Sequence, residues 1–432
     1  MFALTFGTAN RKAAAKISGR KKNGGIIMKK LLAIVLAALL VFSLVACGGG
    51  NSDDQTSAPA SSGESKDSST GNDVVKIGVF EPQSGDNGAG GKQEILGMQY
   101  ANHVAPTVEI GGKTYDVKLE IVDNESSTDK APTAAQTLVS AGVSVVLGSY
   151  GSSVAIAGSP VFQNAGIPAI GVTCTNPQVT EGNSHYFRIC FLDPFQGTVL
   201  ANYAFKELKA KKAYILAQLG NDYDQGLANY FTKAFEALGG TVVKEDFPEG
   251  NSDFTSYLTN AKNENCEVIF SPTSISYAQL IVEQSTSQGT GLPLLASDTW
   301  DSNVILKAAK GTDAKIYVTT FYQEGGNKEF DEGIKKWINE DSQAKTNNGG
   351  DDTVAAVTAM GYDAYFVALE ALKKAGSTAP ADVMKTLPSV TYNGVSGKIE
   401  FNETGDAKRD TAFVKNANTE TGAWDFVAEQ GV

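Results

Sequence analysis

Apolar runs of strand type alternate with stretches of helical periodicity along most of this chain, and this alternation limits the folds open to it. Runs rich in Val and Ile predict buried strands at 74–80, 117–123, 143–148 and 167–172. The stretches between them predict helices at 92–104, 129–141 and 152–164. This βαβ order is typical of a parallel sheet covered by helices on both faces.

A second series of the same kind begins near residue 194. It predicts helices at 195–208, 223–238, 253–263 and 277–288 and strands at 213–217, 241–247, 267–271 and 293–297. Helices around 330–339, 353–374 and 381–387 and short strands at 398–401, 412–415 and 424–428 follow. We therefore predict an α/β protein with two Rossmann-like lobes, to both of which the mixed tail returns.

The N-terminal segment has the pattern of an export signal. Lys29 and Lys30 precede an apolar run that ends in Leu44-Val45-Ala46-Cys47, which matches a lipobox. The run is shorter than the roughly 20 apolar residues of a spanning helix, although a short uncleaved anchor is the alternative. We interpret 1–27 as an over-extended start, 28–46 as a lipoprotein signal peptide, and 47–73 as a lipidated Cys47 followed by a flexible Ser/Gly-rich tether.

Charge and composition exclude several classes of function. Eight of the 36 basic residues precede Cys47, which leaves 28 against 48 acidic residues and a net charge near −20. Such a surface disfavours nucleic acid, whose binding needs cationic contacts. The chain has only two histidines, neither beside another ligand at metal spacing, and its cysteines include no CxxC pair. We predict no metal, no cofactor and no disulfide framework.

The loop after the first strand, residues 81–91, is rich in glycine. It lacks the third glycine of a dinucleotide fingerprint and the Gly-Lys-Ser/Thr of a phosphate loop. Either it allows close backbone approach to a ligand or it is a plain flexible turn.

Two later loops place polar groups at neighbouring strand ends, where ligands bind in open parallel sheets. Gly148-Ser-Tyr-Gly-Ser-Ser153 leads directly into a helix, and Thr173-Cys-Thr-Asn-Pro177 follows the next strand. Ser152 and Ser153 are natural helix N-caps. A helix start with free N–H groups and hydroxyls also suits a carboxylate.

Five further stretches accompany these two loops, namely Ala165-Gly-Ile-Pro168, Tyr186-Phe-Arg188, Gln196-Gly197, Asp222-Tyr223 with Gly226, and Ser297-Asp-Thr-Trp-Asp301. In these stretches the chain, from 74 to its C-terminus, resembles the Leu/Ile/Val-binding proteins of ABC importers, which have the type I periplasmic binding protein fold. This resemblance implies that Ser152 binds the ligand carboxylate and that the hydroxyl and N–H of Thr175 help hold the carboxylate and the ammonium, with backbone groups of Thr173 and Cys174 nearby. It also implies that Tyr223 closes over the ligand and that Asp298, or its rival Asp301, pairs with the ligand ammonium.

The chain departs from the family pattern at two aromatic positions. Gly90 stands where relatives often carry an aromatic residue against the ligand, and Thr273 and Ser274 stand where a second one is common. These differences leave the branched-chain preference open. Tyr150, Tyr277 and Trp300 are the aromatic residues that would compensate.

The resemblance also implies a lobe 1 made of 74–193 plus 322–395 and a lobe 2 made of 194–321 plus 396–432, with hinges near 189–196, 319–324 and 390–401. The implied function is capture of an amino acid, most often branched-chain, by hinge closure. The protein would be a monomer, anchored by lipid to the outer face of the cytoplasmic membrane, and would deliver its ligand to a permease and ATPase. A ligand sensor or an amide/urea-type receptor is the alternative on the same fold. An enzyme lacks support, because the chain has no GxSxG elbow and no His-paired nucleophile.

Overall fold

The computed structural model describes residues 72–431. The predictions for Cys47, for the segments 1–27 and 28–46, and for the tether up to residue 71 therefore lie outside the described residues. Within the described part, no helix combines the length and the apolar character needed to cross a membrane.

The first series of elements forms a six-stranded sheet. In chain order the elements are β1 (Asp73–Glu81), α1 (Gly88–Val104), β2 (Thr107–Ile110), β3 (Lys113–Asp123), α2 (Ala131–Ala141), β4 (Val145–Gly148), α3 (Ser152–Ala165), β5 (Ala169–Gly171) and β6 (Tyr186–Arg188). The strand order is β2-β3-β1-β4-β5-β6, parallel except for the β2–β3 pair. The parallel sheet predicted for this lobe is confirmed.

The second series forms a seven-stranded sheet. It comprises α4 (Asp193–Asn202), β7 (Lys212–Gln218), α5 (Asp222–Ala237), β8 (Thr241–Phe247), α6 (Thr255–Asn263), β9 (Val268–Ser271), α7 (Ile275–Ser287), β10 (Leu294–Ala296), α8 (Asn303–Ala309) and β11 (Ile316–Thr320). Strands β14 (Ala412–Asn418) and β15 (Ala423–Gln430) complete it in the order β15-β14-β11-β10-β9-β7-β8. Strand β14 runs antiparallel to β11, and β15 pairs antiparallel with β14 and so runs in the direction of the parallel strands.

Between β11 and β14 the chain forms helices and a hairpin beside the first sheet. These elements are α9 (Lys328–Glu340), α10 (Ser342–Asn347), α11 (Ala356–Ala375), α12 (Pro380–Thr386), β12 (Thr391–Gly394) and β13 (Gly397–Glu400). Short 3-10 turns at Pro177–Val179, Asp298–Trp300 and Leu387–Ser389 and a π-helical turn at Tyr203–Glu207 complete the described elements. The mixed α/β architecture in two lobes thus agrees with the prediction.

The chain passes between the two sheets three times, and the third passage differs from its predicted place. The hairpin β12–β13 occupies the hinge predicted at 390–401, and Ser396 donates its backbone N–H to Asp363 of α11 at 2.9 Å. Residue Asp406 then pairs with Arg188 at the edge of the first sheet. Residues 396–406, predicted for lobe 2, therefore lie with the first lobe, and the passage falls between Asp406 and Ala412.

Helix α1 is fixed by an unusually close approach to α11. A Cβ on Gly97 would lie 1.9 Å from the Thr358 carbonyl oxygen, and a Cβ on Gly361 would lie 2.1 Å from the Glu94 carbonyl oxygen. Both helices thus use glycine to bring their backbones together, because any side chain would force them apart. This contact sets the position of Glu94 behind the strand ends of the first sheet.

Candidate functional site

A cavity of about 360 Å³ lies between the two lobes, at the carboxyl ends of their parallel strands. Its walls include residues of both lobes, among them Ser152, Thr173, Tyr223 and Asp298. The volume falls within the range of small-molecule sites, about 300–1,000 Å³. Its place matches the strand-end crevice expected for open α/β sheets.

One wall of the cavity is the N-terminus of α3. Residues Gly151 to Val154 line it, and Gly151 has no side chain to cap the helix. The first N–H groups of a helix have no carbonyl partner within the helix, and the helix dipole makes this end attractive to anions. The Ser152 hydroxyl accepts the N–H of Asn176 at 3.2 Å, which ties this wall to the next loop. The wall can therefore hold a carboxylate.

The opposite wall carries Asp298. Its Oδ1 accepts hydrogen bonds from the Tyr223 hydroxyl at 2.7 Å and from Gln196 Nε2 at 2.7 Å, whereas its Oδ2 accepts none from any described side chain. Burial raises the pKa of Asp298 to about 6, although the two hydrogen bonds act in the opposite direction. Near neutral pH the group is mainly a carboxylate in a dry site, which favours a cationic partner.

Asp301, the rival of Asp298, has a partner of its own. Its Oδ2 accepts hydrogen bonds from Lys415 Nζ at 3.0 Å and from the Thr320 hydroxyl at 2.6 Å, and the ion pair with Lys415 is almost fully buried. Asp301 is not part of the cavity wall. The geometry therefore favours Asp298 for a ligand ammonium.

Tyr150 takes the space that Gly90 leaves free. A Cβ on Gly90 would lie 2.6 Å from the Tyr150 ring, and the Tyr150 hydroxyl reaches the Thr299 carbonyl of the second lobe at 3.3 Å. Trp300 and Tyr277 are instead buried in the core of the second lobe. Tyr150 alone of the three proposed aromatics lines the cavity, together with Ser274.

The eight predicted ligand-binding residues do not all reach the cavity. Six of them line it, namely Tyr150, Ser152, Ser153, Thr173, Tyr223 and Asp298. Cys174 and Thr175 are fully buried behind its wall, and the Cys174 carbonyl accepts a hydrogen bond from Arg188 at 3.0 Å. Neither Cys174 nor Thr175 belongs to the cavity lining.

The charge of the cavity wall is one-sided. Among the described residues, the wall carries the carboxylates of Asp86, Glu125, Asp129, Glu249 and Asp298 and no Lys, Arg or His side chain. Among the described residues of the wall, the partial positive charge that would attract a carboxylate thus comes from backbone N–H groups alone. A ligand with both a carboxylate and an ammonium group suits such walls better than a bare anion does.

Asn87 joins the two lobes and was not singled out from the sequence. It precedes α1 but does not cap it. Instead its Oδ1 accepts the Ile275 N–H of α7 at 3.2 Å, and its Nδ2 donates to the Ser274 hydroxyl at 3.1 Å. Asp86 accepts the Ser276 hydroxyl at 2.7 Å. The first-lobe loop thus serves as the N-cap of a second-lobe helix.

We expect Asn87→Ala to weaken ligand binding about fivefold, because losing an N-cap costs about 1 kcal/mol. That cost falls only on the conformation in which the lobes meet. Titration calorimetry of the variant and the parent protein measures the change. Asn102→Ala is the matched control, since Asn102 bonds Val117 and Tyr365 within the first lobe. Equal affinities of parent and Asn87→Ala would contradict the bridging role.

Comparison with known proteins places this architecture in a family. The family model described as periplasmic binding protein matches residues 74–421. The chain belongs to the periplasmic binding protein family. It is 30% identical over 345 residues to an amino acid binding protein of Pseudomonas aeruginosa, covering 78% of this chain and 88% of the relative. A Leu/Ile/Val-binding protein homolog of Brucella abortus is 28% identical over 338 residues, covering 77% and 88%.

Solved structures agree with the fold of this periplasmic binding protein. A leucine binding protein of Thermotoga maritima superposes with a TM-score of 0.72 at 31% identity, covering 83% of this chain and 99% of the other. A solute binding protein of Rhodopseudomonas palustris in complex with benzoate superposes with a TM-score of 0.71 at 18% identity, covering 83% and 96%. At that identity the second likeness shows the fold alone. Proteins of this family bind small solutes for ABC importers outside the cytoplasm.

Proposed function

We propose that the protein is the solute-binding lipoprotein of an ABC importer and captures a free amino acid by closure of its two lobes. The observation that carries the proposal is the pairing of opposite walls across one cavity. The α3 N-terminus suits an α-carboxylate, and the buried Asp298 suits an α-ammonium. A ligand that bridges both walls favours the closed form through contacts that only this form offers.

Among amino acids, the branched-chain ones are the first candidates, since several relatives are named leucine or Leu/Ile/Val-binding proteins. Benzoate-type ligands are the competing class, because a protein of the same fold binds benzoate. The acidic cavity wall favours the amino acid, whose ammonium offsets the charge of Asp298. We further propose that the protein is a monomer anchored through Cys47 and that it works with a permease and an ATPase rather than as an enzyme.

Mass spectrometry of the small molecules that co-purify with the full chain in detergent tests the proposal. Calorimetry with a panel of amino acids, benzoate and 4-hydroxybenzoate follows. A micromolar dissociation constant corresponds to about −8 kcal/mol, which a few charge-assisted hydrogen bonds can supply. Heat from benzoates and none from any amino acid would sink the proposal.

Amino-acid affinity is expected to fall in acid through Asp298. The pKa of its carboxyl is raised to about 6. Above that pH Asp298 is a carboxylate that can pair with the ligand ammonium, and this negative charge is lost as the pH falls below 6. The dissociation constant should rise by up to about tenfold per pH unit below pH 6. Calorimetry between pH 4.5 and 7 measures this slope, and a flat profile would argue against Asp298 as the ammonium partner.

A further inference from the structure

Two carboxyl groups lie buried directly behind the cavity wall, and the binding scheme above does not use them. Glu81 ends β1 and Glu94 lies on α1, and neither side chain is exposed to solvent. Buried acids are costly unless they are paired or neutralised, so a close pair of them beside a binding site marks a functional role more often than a chance arrangement.

Each of the two acids holds one residue of the cavity wall. Glu81 Oε2 accepts the backbone N–H of Tyr150 at 2.6 Å, and Glu94 Oε2 accepts the Thr173 hydroxyl at 2.6 Å. The remaining oxygen of each group, Oε1, is buried and receives no hydrogen bond from a described donor. The pair therefore connects the two wall residues from beneath.

The two carboxyls contact each other, and no described cation compensates them. Burial raises the pKa of Glu81 well above its usual range, and the neighbouring Glu94 raises it further. Burial likewise raises the pKa of Glu94 to about 7. Two carboxylates in contact cannot both ionise cheaply, so the pair retains one proton over the neutral range.

The other titratable groups that face the pair strengthen this tendency. The Cys174 thiol faces Glu81, and the Asp298 carboxyl faces Glu94. The hydroxyls of Tyr150 and Tyr186 face both acids. The nearby Arg188 guanidinium acts on Cys174 and is already engaged by Asp406. None of these groups supplies a positive charge to the pair.

We propose that Glu81 and Glu94 share one proton as an acid–carboxylate pair that positions Tyr150 and Thr173 for the ligand, so that capture weakens in alkali when this proton leaves. Loss of the proton places two negative charges in a dry site. Their repulsion then displaces one carboxylate from the wall residue that it holds. The inference rests on the proposed capture function, in which Tyr150 and Thr173 contact the ligand.

The pair gives the pH profile of affinity a second limb, in alkali, along which affinity falls as the pH rises. Asp298 weakens binding as the pH falls below about 6, whereas the pair weakens it in alkali, because Glu94 ionises with a pKa of about 7 and Glu81, whose pKa is raised well above its usual range, keeps the last proton beyond that. Affinity should therefore pass through a maximum that begins above the pKa of Asp298 and ends where Glu81 ionises in alkali. Only the alkaline limb depends on Glu81 and Glu94.

Glu94→Gln separates the two limbs. The amide oxygen can still accept the Thr173 hydroxyl, and the amide N–H can donate to Glu81, which reproduces the protonated pair permanently. We expect the dissociation constant for L-leucine, measured by calorimetry on the full chain from pH 5 to 9, to rise in the parent by up to about tenfold per unit over the alkaline range in which Glu81 ionises. In Glu94→Gln the alkaline limb should disappear while the acid limb remains. Asp331→Asn, at a buried acid of α9 that accepts the Tyr322 hydroxyl, is the matched control and should keep both limbs.

A readout without ligand distinguishes this inference from the capture function. A carboxyl whose pKa is higher in the folded protein than in the unfolded chain contributes stability that is fully present below the pKa of the unfolded chain. That stability is lost as the pH rises through the pKa of the folded protein. The unfolding temperature of the parent should thus fall from pH 5 to 8 more than that of Glu94→Gln. The same alkaline limb and the same pH dependence of unfolding in both proteins would overturn the pair. Absence of L-leucine heat at every pH, with the unfolding difference present, would overturn the leucine assignment and support the shared proton.

Discussion

Asp298→Asn is expected to weaken amino-acid binding at least about a hundredfold. Removing one partner of a buried charge pair costs about 2–5 kcal/mol, and every 1.4 kcal/mol is a factor of ten. The amide has the shape of the carboxylate and can still accept the Tyr223 hydroxyl through its oxygen. Its NH₂ group would then face the ligand ammonium, so that two hydrogen-bond donors oppose each other in place of the ion pair.

Calorimetry with the amino acid identified by mass spectrometry measures this loss, and thermal unfolding shows whether the variant is folded. We expect the unfolding temperature to stay level or to rise, because a buried carboxylate is removed. Asp301→Asn is the matched control: it breaks the buried pair with Lys415 and should lower stability more than affinity. An unchanged dissociation constant in Asp298→Asn would remove Asp298 from the site.

Arg188→Met is expected to lower the free energy of unfolding by about 3–5 kcal/mol, the usual effect of breaking a buried ion pair. Arg188 is fully buried, and its Nε and Nη2 donate to Asp406 Oδ1 at 2.8 and 2.7 Å. Its Nη1 donates to the carbonyls of Cys174 and Asn176 at 3.0 and 2.5 Å. The side chain thus ties the loop behind the cavity to the third passage between the sheets.

Urea unfolding of the full chain measures the loss. Lys328→Met is the control, because its pair with Glu332 is exposed and such pairs contribute at most about 1 kcal/mol. Adding Asp406→Asn to Arg188→Met should restore part of the stability, since it removes the unpaired carboxylate. If Arg188→Met and Lys328→Met unfold at the same urea concentration, the buried ion pair contributes no more to stability than the exposed one.

The sequence predicted the two parallel sheets because hydrophobic periodicity is a local property that survives in any tertiary setting. It missed β2, although Gly111-Gly112 with φ values of 59° and 79° form the kind of turn that joins a two-residue hairpin. The third passage was misplaced because the hairpin β12–β13 and the pairing of Arg188 with Asp406 depend on contacts distant in sequence.

For the site as well, local sequence patterns were predicted correctly and contacts distant in sequence were not. Polar loops at strand ends are visible in the sequence, and six of the eight predicted residues do line one cavity. The sequence left Asp298 and Asp301 as rivals, and the cavity lining together with the position of Lys415 separates them. Glu81 and Glu94 were not recognised, because 13 positions separate them and they lie on different elements, β1 and α1.

The N-cap that Asn87 forms on α7 affects the strength of binding and not its selectivity. The hydrogen bonds of the cap join the loop to the helix, so their free energy contributes to closure by the same amount for every ligand, although Asn87 and Ser274 also belong to the cavity lining. Substitutions there should scale all dissociation constants by one factor and leave the ranking of solutes untouched. Natural selection, or a designer of fluorescent solute reporters, can therefore adjust the concentration range of this protein without rebuilding its cavity.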